Sequence, residues 1–174
     1  MKDGEHYTAT ATDGKGNQDY LIYDFKTGNV TDTLVRGSTL MVNNSVIHPE
    51  GFTLNENETK ILFTTESEKI YRRSSIANYL VYDRKTKQLL PVSKNGKQQV
   101  ATISPDGNSI SFVRDNNLYV ESFGGQESQI TNDGKKNFII NGVCDWVYEE
   151  EFAFSRAYQW SPDGKSIAYY RFDV

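Results

Sequence analysis

The densest functional chemistry lies in one short stretch. Three consecutive carboxylates, Glu149, Glu150 and Glu151, follow Asp145 and stand among Trp146, Tyr148, Phe152 and Phe154. A run of like charges ordinarily forms a solvated face. Acids set among large apolar side chains are instead poorly hydrated and invite a cation. Two carboxylates aimed at one ammonium each make a charge-assisted hydrogen bond worth about 1.5–3 kcal/mol, a geometry that selects a primary amine. Asp145 can cap a helix start, so the spacing predicts a short helical turn over Trp146 to Phe154 that carries the acids. A basic pair, Arg72 and Arg73, lies between Lys69-Ile70-Tyr71 and a strand-like run beginning at Tyr79. Such a pair reads as a solvated loop, or, with one member turned inward, as a donor to a carbonyl or carboxylate.

Other candidates carry less. Asp13-Gly14-Lys15-Gly16-Asn17-Gln18-Asp19 has acids at calcium-loop spacing, but Lys15 occupies a ligand position and no Glu follows in place, so no metal site is expected. Gly107-Asn108-Ser109-Ile110-Ser111 and Gly164-Lys165-Ser166-Ile167-Ala168 miss the Gly-x-Ser-x-Gly nucleophile elbow and read as turns entering strands. His6 and His48 sit in turn contexts. Cys144 adjoins the acidic segment, whose charge raises a thiol's pKa, so it reads as a small packed residue. With no phosphate loop or dinucleotide fingerprint, neither a catalytic residue nor a cofactor is expected in the chain.

The elements that must position these residues are strands. The chain has 174 residues, 37% apolar and 24% charged, with a net charge of -4. This is one domain's worth of collapsible protein with no basic footprint for nucleic acid. A single cysteine excludes an internal disulfide framework, and no apolar run approaches the roughly 18 residues of a membrane span. Aromatics make up 13%, with thirteen Gly and four Pro, which points to a turn-rich β protein. The runs repeat. Tyr20-Leu21-Ile22-Tyr23-Asp24 returns as Tyr79-Leu80-Val81-Tyr82-Asp83, with a weaker copy at Asn117 to Glu121. Ser104-Pro105-Asp106-Gly107 returns as Ser161-Pro162-Asp163-Gly164, with a degenerate copy at Asn55-Glu56-Asn57-Glu58. Their spacing sits at or above the roughly 40–50 residues of a propeller blade. The expected fold is therefore all-β, a partial β-propeller of three to four antiparallel blades with a short helical insert carrying the three Glu. Three or four blades fall short of a ring, and strand-like runs at both ends, His6 to Thr12 and Ile167 to Phe172, suggest a piece of a longer chain.

The string Asn141-Gly142-Val143-Cys144-Asp145-Trp146-Val147-Tyr148-Glu149-Glu150-Glu151-Phe152, followed by Trp160-Ser161-Pro162-Asp163-Gly164 and Ala168-Tyr169, closely resembles the dipeptidyl peptidase IV family of serine exopeptidases. The resemblance extends back through Tyr71-Arg72-Arg73-Ser74 and Tyr79-Leu80-Val81-Tyr82-Asp83 and is weakest before about residue 50. It implies an eight-bladed propeller joined to an α/β-hydrolase domain that removes N-terminal dipeptides with Pro or Ala second. Residues 1–174 would form the N-terminal portion of that propeller, the Ser-Asp-His triad lying in a domain absent from this chain. By the same resemblance Glu150 and Glu151 bind the substrate's α-ammonium, Glu149 is not a direct ligand, and Arg72 contacts the backbone carbonyl of the N-terminal dipeptide. Tyr71 before it and Arg73 after it depart from the family pattern and leave Arg72 and Arg73 both open. The implied partners are peptide N-termini, the missing blades and hydrolase domain, and a second copy in a parent homodimer, with self-association of this piece and a periplasmic, secreted or membrane-anchored location. Ser-Pro-Asp-Gly repeats also look like those of TolB-type interaction propellers. Such a scaffold has no reason to place acids among aromatics.

Overall fold

A computed structural model describes all residues, Met1–Val174. The chain divides into two compact units, Met1–Pro49 with Asp83–Leu89, and Glu50–Tyr82 with Leu90–Val174. In the first, β1 (His6–Thr12), β2 (Gln18–Asp24) and β3 (Val30–Val35) form an antiparallel meander, followed by a 3-10 turn at Gly37–Thr39 and a two-residue ribbon of β4 (Met41–Val42) and β5 (Ser45–Val46). Of the acids at calcium-loop spacing, Asp19 accepts from Arg36 and the Gly37 N–H, while Asp13 is a turn cap, its Oδ1 accepting from the Lys15 and Asn17 N–H groups, both at 2.8 Å. That is the ordinary way an Asp closes a turn.

The second unit opens with β6 (Gly51–Leu54), β7 (Lys60–Lys69), β8 (Ser75–Asp83) and β9 (Leu89–Pro91), a four-stranded sheet in sequence order. β10 (Gln99–Ile103), β11 (Ser109–Arg114), β12 (Asn117–Ser122) and β13 (Glu127–Gln129) repeat the pattern. These four-stranded meanders are the propeller-blade unit, so the all-β partial propeller expected from the repeats is present, without a closed ring. The chain continues through β14 (Ile139–Asn141), helix α1 (Trp146–Phe152), β15 (Tyr158–Trp160), β16 (Ile167–Tyr169) and β17 (Arg171–Asp173). The run Ile167 to Phe172, which reads as one strand, is divided. β16 pairs with β15 and β17 with β14. Tyr170 makes the crossing, its N–H donating to Ala157 O at 2.9 Å and its carbonyl accepting from Gly142 N at 3.0 Å. No helix is long and apolar enough to cross a membrane.

The repeated turns are chemically the same turn. At Ser104 the hydroxyl accepts from Ser109 N at 3.0 Å, and Asp106 Oδ1 accepts from Asn108 N at 3.1 Å. Ser161 and Asp163 reproduce both bonds with Ser166 N and Lys165 N. In the degenerate copy Asn55 Oδ1 replaces the hydroxyl, accepting from Lys60 N at 2.8 Å, and Asn57 replaces Asp. Glu58 there holds the left-handed φ of 56° that Gly107 and Gly164 take in the other copies. The geometry survives the change of residue because the acceptor, not the residue type, closes the turn.

The two four-stranded sheets share one core, in which Leu62, Val81 and Val92 meet Ala101, Ile110, Phe112 and Tyr119. A polar seam borders it. Arg114 pairs in two-pronged fashion with Glu127, donates to Ser93 Oγ at 3.0 Å, and lies 4.3 Å from the Tyr119 ring centroid. Glu121 stands opposite Glu127 in the β12–β13 register. Burial first, then the Glu127 charge, push its pKa up to about 7, with Lys94 opposing. Like charges facing across a ladder are unfavourable. Because the folded state holds this proton more tightly than the unfolded chain, whose Glu titrates near ~4.3, stability falls as pH rises from about 4.3 to about 7 and stays reduced above. Glu121→Gln is therefore expected to raise Tm by about 2 °C at pH 8 and far less at pH 5. Equal gains at both pH values in thermal melts would exclude this origin.

Candidate functional site

Helix α1 is an excursion from a β-ladder. Cys144 N donates to Ser155 O at 3.1 Å and Val143 bridges Arg156, so the chain leaves and returns side by side. At the start Asp145 Oδ1 accepts from Tyr148 N at 2.9 Å, the N-cap that its residue type predicts. The helix stops two residues before Phe154, because Ala153 takes a left-handed conformation (φ 59°) and its N–H bonds back to Glu149 O at 3.2 Å. Cys144 Sγ lies 2.9 Å from Phe154 O and 3.2 Å from Ser155 O, donating at the base of the excursion. Burial, then the charges of Glu149 and Asp145, push that thiol up to about 11, which makes it a packing group. Tyr148 anchors the far side, with ring centroids 4.8 Å from Phe172 and 5.3 Å from Phe152.

The three acids have three different environments. Glu149 is 1% exposed, and its Oε1 accepts from the main-chain N–H groups of Arg73 and, at 3.0 Å, Ser74. Burial is the largest influence on it and opposes ionisation. The Ser74 side chain, the two N–H groups and the Arg73 charge together nevertheless hold its pKa below the ordinary carboxylate value. Glu150, next along the helix, has Oε1 3.4 Å from Arg72 Nε. Glu151 follows, exposed. The structure thus brings Glu150 and Arg72 together, and Glu151 is the next residue of α1, with no ion pair or hydrogen bond to either. Arg72 is the arginine whose side chain meets Glu150, while Arg73 serves Glu149 with its N–H and its charge. The aromatics enclose the acids less than their sequence positions suggest, since Trp146 and Phe152 are 55% and 63% exposed. The deeply buried acid is Glu149, for which sequence reasoning gave no task. The four apolar residues of the helix, Trp146, Val147, Tyr148 and Phe152, are all exposed, so its apolar pattern does not reveal that Glu149 is the side chain turned inward.

At 3.4 Å, with the Arg72 side chain 72% exposed and that of Glu150 21% exposed, the pair is longer than a charge-assisted hydrogen bond and is a weak surface contact. Both groups therefore keep bonding capacity for a third party. An acid and a guanidinium set side by side complement a group with a cationic end and a neighbouring carbonyl. A groove of about 830 Å³ opens alongside, its walls including Ile70, Tyr71, Ser74, Lys97, Trp146 and Val147.

Residues 55–174 match the family described as the dipeptidyl peptidase IV (DPP IV) N-terminal region. A probable dipeptidyl-aminopeptidase B of Colletotrichum graminicola is 36% identical over 91% of this chain and 19% of its own length. A probable dipeptidyl peptidase 4 of Aspergillus fumigatus is 42% identical over 73% of this chain and 16% of its own. The crystal structure of Porphyromonas gingivalis dipeptidyl peptidase 4 superposes with a TM-score of 0.86 at 35% identity, covering 99% of this chain and 24% of that one. The chain thus spans about a fifth of the length of these relatives.

Proposed function

This chain belongs to the dipeptidyl peptidase IV family, and from that premise we propose that it recognises the free amino terminus of a peptide, with Glu150 and Glu151 on the α-ammonium and Arg72 on the backbone carbonyl of the N-terminal dipeptide. The observation that carries this reading is the open Glu150–Arg72 pair, which sets acceptors for an ammonium beside donors for a carbonyl. The catalytic Ser-Asp-His triad belongs, in this reading, to an α/β-hydrolase domain of the same longer polypeptide, and residues 1–174 form the N-terminal portion of its propeller, inactive alone. An acidic dead end on the propeller lets only about two residues reach the nucleophile, so the enzyme measures length from the amine and releases dipeptides. Substrates with Pro or Ala second, contacts with further blades, a homodimeric parent, self-association of this piece alone, and a periplasmic, secreted or membrane-anchored setting belong to the same proposal. In the full-length protein, Glu151→Gln is expected to raise KM for a free-amine Xaa-Pro substrate about tenfold to a hundredfold. An unchanged KM and kcat would remove Glu151 from the site.

A further inference from the structure

Glu149 sits at the junction of the two halves of the site, and its bonding is unusual for a buried acid. It meets main-chain N–H groups, those of Arg73 and Ser74, where a buried carboxylate more often meets a cationic side chain. Those residues belong to the loop between β7 and β8, itself closed by Ile70 N donating to Ser74 O at 3.0 Å. The covalent neighbours on either side of this contact are the site residues. Glu150 is the next residue on α1, rotated by about 100° around the helix axis. Arg72 immediately precedes the first bonded N–H, one Cα step of about 3.8 Å away. An apolar contact could have attached the helix to the loop without desolvating a charge, but it would have left rotation and register free. Two N–H bonds to one carboxylate oxygen fix both.

We propose that Glu149 is the positioning residue of the site: its buried carboxylate sets the separation of Glu150 from Arg72, and so the span between the ammonium and carbonyl subsites, without touching substrate. The inference rests on the amine-recognition reading above. In the full-length protein, Glu149→Ala is expected to raise KM for a free-amine Xaa-Pro chromogenic substrate about tenfold or more with kcat within about threefold of wild type. Hydrogen exchange at the Arg73 and Ser74 amides should accelerate in the same variant. A purely structural role has the opposite signature, since loss of folded enzyme lowers apparent kcat and leaves KM unchanged. Glu149→Gln, which keeps one carbonyl acceptor, should restore part of the affinity, and its KM decides the matter if the alanine variant does not fold. Wild-type KM in the folded Glu149 variants, with Glu150→Ala impaired, overturns the positioning role and leaves amine recognition standing. Wild-type KM in Glu150→Ala as well overturns both.

Discussion

Replacing Glu150 and Glu151 together by alanine in the full-length protein is expected to lower kcat/KM on a free-amine Xaa-Pro peptide by about a thousandfold. In the proposed reading each acid would contribute one charge-assisted hydrogen bond to the ammonium, worth about 1.5–3 kcal/mol, and the two together would correspond to about 10²–10⁴ in rate. The pair shares one ligand group, so the loss is not the sum of the single losses, and the first substitution already weakens what the second can remove. The decisive control is the same peptide with its amine acetylated. Wild type should process it poorly, because it presents no cation to two carboxylates that remain desolvated by the bound peptide. The double variant should handle free and acetylated peptides alike. A variant that still prefers the free amine would show that the charge is read elsewhere, and the assignment of Glu150 and Glu151 would fall.

The second large effect concerns the scaffold. Phe112→Ala is expected to destabilise the chain by about 3–5 kcal/mol, a large share of the ~5–15 kcal/mol that holds a domain together. Phe112 has no exposed surface, stacks on Tyr119 at 5.5 Å between centroids, and belongs to the core shared by the two four-stranded sheets. Its removal opens a cavity where side chains of both sheets converge and where neither sheet can collapse inward without dragging its ladder. Arg114, stacked on Tyr119 and bound to Ser93 and Glu127, should tighten that seam but cannot fill the void. Urea denaturation should show a lower midpoint with an unchanged slope. A loss below about 1.5 kcal/mol would mean that the sheets repack around the missing ring.

Much of the fold was legible because its turns are local chemistry. A hydroxyl or amide acceptor at Ser104, Ser161 and Asn55 closes each turn through bonds that span at most five residues. Short-range signals of this kind survive in sequence even when Gly is replaced, as at Glu58. The cap at Asp145 was readable for the same reason. The helix end was not, since Ala153 adopts a left-handed conformation without the glycine that usually marks it. The site was half legible. Glu150, Glu151 and the Arg72–Arg73 pair stood out as residue types, and the family resemblance supplied the roles proposed for them. Which arginine faces the acids depends on contacts between residues more than seventy positions apart, and no periodicity encodes that. The buried position of Glu149 has the same origin. Its fate is set by a loop that sequence places far away.

The contact between Glu149 and the arginine loop has a consequence for how this region can drift over generations. At position 73 the helix grips the main chain, and the side chain there is exposed. Nearly any residue at that position offers the same N–H, so the bond itself outlives a change of side chain, although a neutral residue would give up the Arg73 charge that helps keep Glu149 ionised. Proline is the exception, because it alone brings no proton to the bond.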